Sequence, residues 1–299
     1  MDNNTLKKYD EEFDYYRKNN IYPIVNKDLV KRILDLKVND KIKDDNKFIT
    51  ESYMEQMDKL NELNKEQLKH YLMVLKNADI KDNQKLEKED SFLLSLYMQS
   101  ERKHAIDELL KHEILKEDVL LKTHNILLKG TNNSNTNNLK YRDNNRTFVG
   151  TYENGIRNIH YLTLNCNEID YAMNLFLDYY NEKDSFDDIF FKPFAIHGML
   201  AALQVFENGN TRLSRLLQNI KLYKLTNKLG NYNFSNPTLY VTRTYFPHRL
   251  EYRNLIAKLA IDTNEENLNN WYSFNLKRAE ETIWKNDENI NKIKIFTKK

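Results

Sequence analysis

The chain is poor in the residues that interrupt regular structure. It has six glycines and four prolines in 299 residues. That scarcity argues against a turn-rich β fold and for long helices. A single cysteine, Cys166, excludes an internal disulfide. It suits a reducing compartment, so a cytoplasmic location is expected. No apolar run reaches the length needed to cross a bilayer. The opening MDNNTLKKYDEEFDYY lacks the apolar centre of a secretory signal, so no membrane association is expected. Neither sign of charge dominates: 46 basic and 44 acidic side chains leave a net charge of +2. Nothing in that balance calls for nucleic acid as a partner.

What is present is a soluble composition, 40% hydrophobic and 30% charged, with enough length for a sizeable core. Leu6, Tyr9, Phe13 and Tyr16 recur at helical spacing. So do Leu29, Val30, Ile33 and Leu34, then Met54, Met57, Leu60 and Leu63, then Leu68, Tyr71, Leu72 and Leu75. The methionines read as core filler rather than a binding groove. Lys37 to Lys47 is charged, shows no period and reads as a loop. Gly130 to Lys140 is rich in Asn, Ser and Thr and also reads as a loop. Asn154-Gly155 is a turn signal between two β-prone runs, so one hairpin is expected over 146–162. Further helices are expected over 168–180, from Pro193 to Leu203, over 216–229, from Pro237 to about Tyr245, and over 249–261 and 265–285. The expected architecture is all-α with one hairpin. It has an N-terminal helical extension over 1–82, a main unit over 83–285 and a basic, fraying tail over 286–299.

One stretch carries chemistry: Gln204-Val205-Phe206-Glu207-Asn208-Gly209-Asn210-Thr211-Arg212-Leu213-Ser214-Arg215. It lies between two helix-forming segments. Gly209 suits a tight turn, and Asn210 and Thr211 are both credible N-caps. The free N–H groups of a helix start favour anions. Arg212 and Arg215 are three apart and project from one face. Together these parts make a phosphate cradle. His197 shares a helix face with Gln204, but two turns separate them by about 10 Å. It reads as a hydrogen-bonded core histidine rather than a base.

The stretch resembles the signature of the Fic (Fido) family, His-x-Phe-x-Asp/Glu-Gly-Asn-Gly/Lys-Arg-x-x-Arg. Phe206, Gly209, Asn210, Arg212 and Arg215 match it. Gln204 stands at the histidine position, Asn208 at the acidic metal-ligand position, and Thr211 where a small residue or lysine is usual. Tyr141-Arg142, Thr147-Phe148-Val149 and Ile159-His160-Tyr161 resemble the target-docking flap and the segment before it. Phe194 to Leu203, with His197, resembles the helix leading into the motif. Leu239-Tyr240, Tyr245-Phe246, Arg249, Glu251-Tyr252, Leu255 and Trp271 resemble the C-terminal helices. The similarity spans roughly residues 85 to 282.

Such a resemblance implies a Fic-type helical bundle that transfers AMP from ATP to a hydroxyl side chain of a target protein. It implies Gln204, Asn210 and Arg212 at the catalytic positions. Gly209, Asn210, Thr211, Arg212 and Arg215 would hold the phosphates. Tyr252 and Leu255 would line the adenine pocket, with plain core packing the alternative for each. Asn208 would be a weak ligand for Mg2+, and the hairpin would dock the target. Glu101 lies upstream at the distance of the family's inhibitory glutamate, which pairs with the second motif arginine. Tyr97 and Arg102 depart from that helix's pattern, so a local surface pairing is the alternative. Glutamine accepts a hydrogen bond but takes no proton near neutral pH. Three readings stay open: a nucleotide-binding protein with weak or no transfer, an active transferase using another donor or base, and a non-enzymatic interaction protein.

Overall fold

A computed structural model describes residues 3–87, 92–129, 139–154 and 156–296. Most of the loop expected at 130–140, Gly155 and the last three residues lie outside them. The described chain is helical apart from one two-stranded sheet. Its elements are α1 (Asn3–Lys18), α2 (Leu29–Asp35), α3 (Asp40–Asn61), α4 (Lys65–Glu87), α5 (Phe92–Leu110) and α6 (Glu117–Leu128). There follow β1 (Phe148–Glu153), β2 (Ile156–Leu162), α7 (Ile169–Asn181), α8 (Asp188–Leu203), α9 (Asn210–Gly230), α10 (Arg249–Ile261) and α11 (Glu265–Phe296). No helix of the described residues is long and apolar enough to cross a membrane.

The core is built around α8. From Ile189 to Leu203 every residue except Phe191 is buried. A helix apolar on all sides needs partners all round, and α2, α3, α7, α9, α10 and α11 all pack on it. The Trp271 indole of α11 donates to the Phe194 carbonyl at 2.8 Å, fixing the long last helix against the central one.

Four expectations change. The charged stretch 37–47 is a loop only to Asn39, whose side chain accepts from the Ile42 N–H at 2.9 Å and starts α3. Ile42, Asn46, Ile49 and Tyr53 form its buried stripe, which the dense charge on the outer face obscures. Pro193 lies inside α8, which begins five residues earlier at Asp188. The segment after Pro237 forms only short 3-10 turns, Val241–Thr244 and Phe246–His248. Residues 286–296 do not fray but continue α11. Gln56 of α3 donates to the Ile283 carbonyl at 2.7 Å and to Asp287 at 3.0 Å, and Asn286 and Ile290 are fully buried. The helix α4 spans Lys65–Glu87, and one core joins it to helices before and after it.

The hairpin is antiparallel, pairing Phe148 with Leu162 and Glu153 with Ile156. A bulge at His160 shifts the register after Val149. There Gly150 is required, since a Cβ on it would lie 2.1 Å from the Asn158 oxygen. One face of the hairpin is covered by α1. Phe13 stacks on Phe148, with ring centroids 5.8 Å apart. Asp10 pairs with Arg146 at 2.9 Å and Glu12 with Arg157 at 2.7 Å. Arg17 clamps the root, bonding the Asn145 and Thr163 carbonyls and the Asn165 side chain.

Candidate functional site

The turn between α8 and α9 is held by its own polar side chains. Gln204 ends α8 in the left-handed region, φ 52°. Its Nε2 donates to the Ala201 carbonyl at 2.6 Å, and its Oε1 accepts from Asn210 Nδ2 at 3.0 Å. Asn210 is buried. Its Oδ1 accepts from the Phe206 N–H at 2.9 Å, and its Nδ2 also donates to the Phe206 carbonyl at 2.8 Å. Neither Asn210 nor Thr211 is the N-cap: that position falls to Gly209, at φ 81°. Asn210 instead staples the turn from inside, which leaves the first N–H groups of α9 without a side-chain cap.

Arg142 supports the turn from behind. Its N–H donates to the Val205 carbonyl at 3.1 Å and its Nε to the Gln204 carbonyl at 2.9 Å. Its Nη1 and Nη2 go to the Asn144 and Leu164 carbonyls. Burial, with Arg17 nearby, lowers its pKa to about 10. It stays charged at neutral pH, satisfied by carbonyl dipoles. Glu207 is exposed and accepts from Asn144 Nδ2 at 2.8 Å, pointing away from the turn's interior.

On the other side stands His124 of α6, which sequence reasoning passes over. Its ring lies flat on Phe206, centroids 3.6 Å apart and planes at 11°. Its Nε2 lies 2.8 Å from the Asn208 carbonyl. A carbonyl only accepts, so Nε2 carries the proton. Burial drives its pKa down to about 4, the Asn208 hydrogen bond works against that, and Arg212 adds to the lowering. The signal in the sequence is a histidine on the buried stripe of Leu120, Thr123, Leu127 and Leu128. That stripe does not say what the histidine faces.

Arg212 and Arg215 both project from the start of α9. Arg215 is buried, and its Nε donates to Asn83 Oδ1 at 2.7 Å. Asn83 in turn donates to Asp79 Oδ1 at 2.8 Å, and Asp79 pairs with Arg102 of α5 at 2.9 Å. The expected Glu101–Arg215 pair is therefore not formed. Neighbours on a helix point about 100° apart. Arg102 turns toward α4, while the Glu101 carboxylate lies 3.7 Å from the His104 ring nitrogen Nδ1.

His197 belongs to the core. Its Nδ1 bonds the Gln218 side-chain oxygen and its Nε2 the Tyr252 hydroxyl at 2.8 Å. Complete burial lowers its pKa to about 3, so it stays neutral. The Tyr252 ring packs 4.9 Å from Tyr245, within an aromatic group that includes Trp271 and Phe274. Leu255 lies farther along α10, half-buried. The structure thus gathers Gln204, Gly209, Asn210, Thr211 and Arg212 at one turn, with Asn208 on its exposed side. Tyr252 and Leu255 stand on a separate helix, α10. A small cavity of about 40 Å3 opens at the turn, lined by His124, Tyr141, Arg142, Phe206, Glu207 and Asn208 among others. A larger hollow, about 780 Å3 between Lys37–Lys47 and Phe191, shares no residue with it.

Residues 114–222 match the sequence model of the Fic/DOC family. No curated protein matches the chain by sequence. Solved structures do match in fold. A Fic family protein from Desulfovibrio desulfuricans G20 is 13% identical with a TM-score of 0.50, the match covering 84% of this chain and 67% of that one. Fic-1 (residues 134–508) from C. elegans is 16% identical with a TM-score of 0.56, covering 83% and 73%. A Fic domain containing signaling protein from Bacteroides thetaiotaomicron VPI-5482 is 14% identical with a TM-score of 0.57, covering 80% and 97%. At these identities the likeness is one of fold. The matched segment runs from the helix bearing His124, through the hairpin, to the helix bearing both arginines, and over it this chain is similar to the Fic/DOC family.

Proposed function

We propose that the chain binds ATP at the N-terminal end of α9 and transfers AMP to target hydroxyls weakly or not at all. The carrying observation is the side chain at position 204. Both ends of its amide are engaged, one with Ala201 and one with Asn210. A glutamine so held positions the turn but accepts no proton. A positioned general base contributes about 10²- to 10⁴-fold, and that contribution is missing. The N–H groups of the turn and the two arginines remain, and they supply the charge stabilisation that dominates phosphate chemistry.

The turn is a poor fit to a protein-held Mg2+. Among the described residues no three His, Cys, Asp or Glu side chains converge. Asn208 offers a neutral carboxamide, whereas hard divalent cations favour carboxylates. Mg2+ would therefore reach this site on the phosphates of the nucleotide, with Asn208 adding at most one neutral oxygen. For a target protein, the hairpin offers an extended edge, the kind of surface that pairs with an incoming strand.

The test is incubation with labelled ATP, comparing wild type, Gln204→His and Gln204→His/Asn208→Asp. Wild type should bind ATP and label little. The single change should raise self-labelling about 100-fold, and the double change should exceed it. A wild type that does not bind ATP would overturn the reading in favour of an interaction protein. Wild-type labelling that neither variant improves would point to a transferase with another base.

A further inference from the structure

We propose that His124 is a positioning residue for the anion cradle: from the α6 side it fixes the Asn208–Gly209 peptide and so aims the Gly209 N–H at the phosphates. The inference rests on the nucleotide reading of this turn and names the residue that sets its geometry.

His124 Nε2–H donates to the Asn208 carbonyl at 2.8 Å. A trans peptide is planar, and its C=O and N–H point in opposite directions. A carbonyl tethered to α6 therefore sends the Gly209 N–H away from α6. Gly209 is left-handed, φ 81° and ψ 1°, and Asn210 opens the right-handed α9. A left-handed residue followed by a right-handed one turns successive N–H groups toward one point, an anion-binding concavity. No backbone acceptor meets the Gly209 N–H among the described residues. The N–H groups of Asn210 and Thr211 belong to the first helical turn, which has no helical acceptors.

The histidine is built to do this one thing. Its ring is stacked on Phe206, so it does not swing. Its Nδ1 is buried with no hydrogen-bond partner, so its whole hydrogen-bonding capacity goes to the Asn208 carbonyl. A Cβ on residue 209 would lie 3.2 Å from Nε2 and 2.9 Å from Leu128 Cδ2, which shows how closely the turn is moulded on α6. Burial keeps the ring neutral.

The experiment uses the full chain with isotope-labelled glycine. Six glycines give a spectrum simple enough to assign by substitution. The variants are His124→Phe, which keeps a flat ring but has no donor, and His124→Gln, whose terminal amide offers a donor at similar reach. In wild type, added ATP should move the Gly209 amide resonance. His124→Phe should shift that resonance already without ligand, abolish its response to ATP and weaken ATP binding by about tenfold. His124→Gln should restore both, and thermal melting confirms that each variant is folded. If His124→Phe destabilises the fold too far, the inference stands or falls on His124→Gln against His124→Leu. An unchanged Gly209 resonance and ATP response in the folded donor-less variant would overturn it while leaving the nucleotide reading intact. Failure of wild type to bind ATP would overturn both.

Discussion

The two ends of α9 both carry positive charge, and they handle it in opposite ways. The N-terminal end bears Arg212 and Arg215, where the helix dipole disfavours cations. The other half bears Lys221, Lys224 and Lys228, where the dipole welcomes them. There the lysines are met by acceptors. Lys221 and Lys192 share the Asp184 carboxylate, at 2.9 and 2.7 Å, and bond the Tyr180 and Glu182 carbonyls. Lys224 bonds the His112 carbonyl, and burial lowers its pKa to about 8. At the N-terminal end the Arg215 Nε donates to the Asn83 amide oxygen, beside a turn whose N–H groups also attract anions. Under the proposed function, charge placed against the dipole beside the N–H groups of the turn would serve a ligand, whereas charge placed with the dipole and tied to Asp184 holds the fold.

The strongest test of that contrast is Asp184→Asn. It would strand two buried ammonium groups, and breaking a buried pair costs about 3–5 kcal/mol. Urea unfolding should show a loss of that order. A loss below about 1 kcal/mol would show that the lysines find other partners. Next is Arg212→Gln, which should weaken ATP binding by about 1.5–3 kcal/mol, the range for a hydrogen bond to a charged group. It should cost far less stability than Asp184→Asn. Equal losses from both would erase the distinction between the ends.

A third test separates the regions by pH. His124 and His197 have folded pKa values of about 4 and 3, below the free value of about 6.5. Above that free value both states are neutral and the full stability is present. As pH falls, the unfolded chain takes up protons the fold refuses, and stability declines until the folded groups titrate. From pH 6.5 to about 5 each histidine should cost roughly 2 kcal/mol. His197→Gln should flatten part of that slope, and an unchanged slope would count against a neutral buried His197. Burial alone would raise the Asp184 pKa, but Lys192 and Lys221 outweigh it and hold it below the ordinary value. Its support is lost only in a lower window, as pH falls through that depressed value. The smallest expected effect is Lys228→Ala. That lysine is exposed and 3.9 Å from Asp184, so unfolding should shift by less than about 0.5 kcal/mol. A larger loss would make the exposed lysine a true member of the knot.

The features legible in the sequence are those encoded locally. The Asn154-Gly155 turn announces the hairpin, and the Gly209 stretch announces a turn between two helices with both arginines on its far side. What was not legible depends on distant partners. Asn210 looks like a cap, but its amide is drawn back to Gln204 and Phe206 because Gly209 already occupies the capping position. One partner of Arg215, Asn83 of α4, lies 132 residues away, and no spacing rule near Glu101 selects it. Residues 286–296 look like a basic tail until Gln56 and Lys59 of α3 meet Asp287. His124 sits on an ordinary buried stripe, and only the approach of the 204–209 turn gives it a task.

Arg17 gives the hairpin the mechanics of a clamped beam. It grips the chain just before β1, at Asn145, and just after β2, at Thr163 and Asn165. Both legs are thereby fixed at the root to one rigid helix. A beam held this way bends along its length but does not hinge at its base. A strand that paired with its edge, as proposed, would meet it from one preset direction, and the entropy of orienting that edge would be settled when the protein folds rather than on docking.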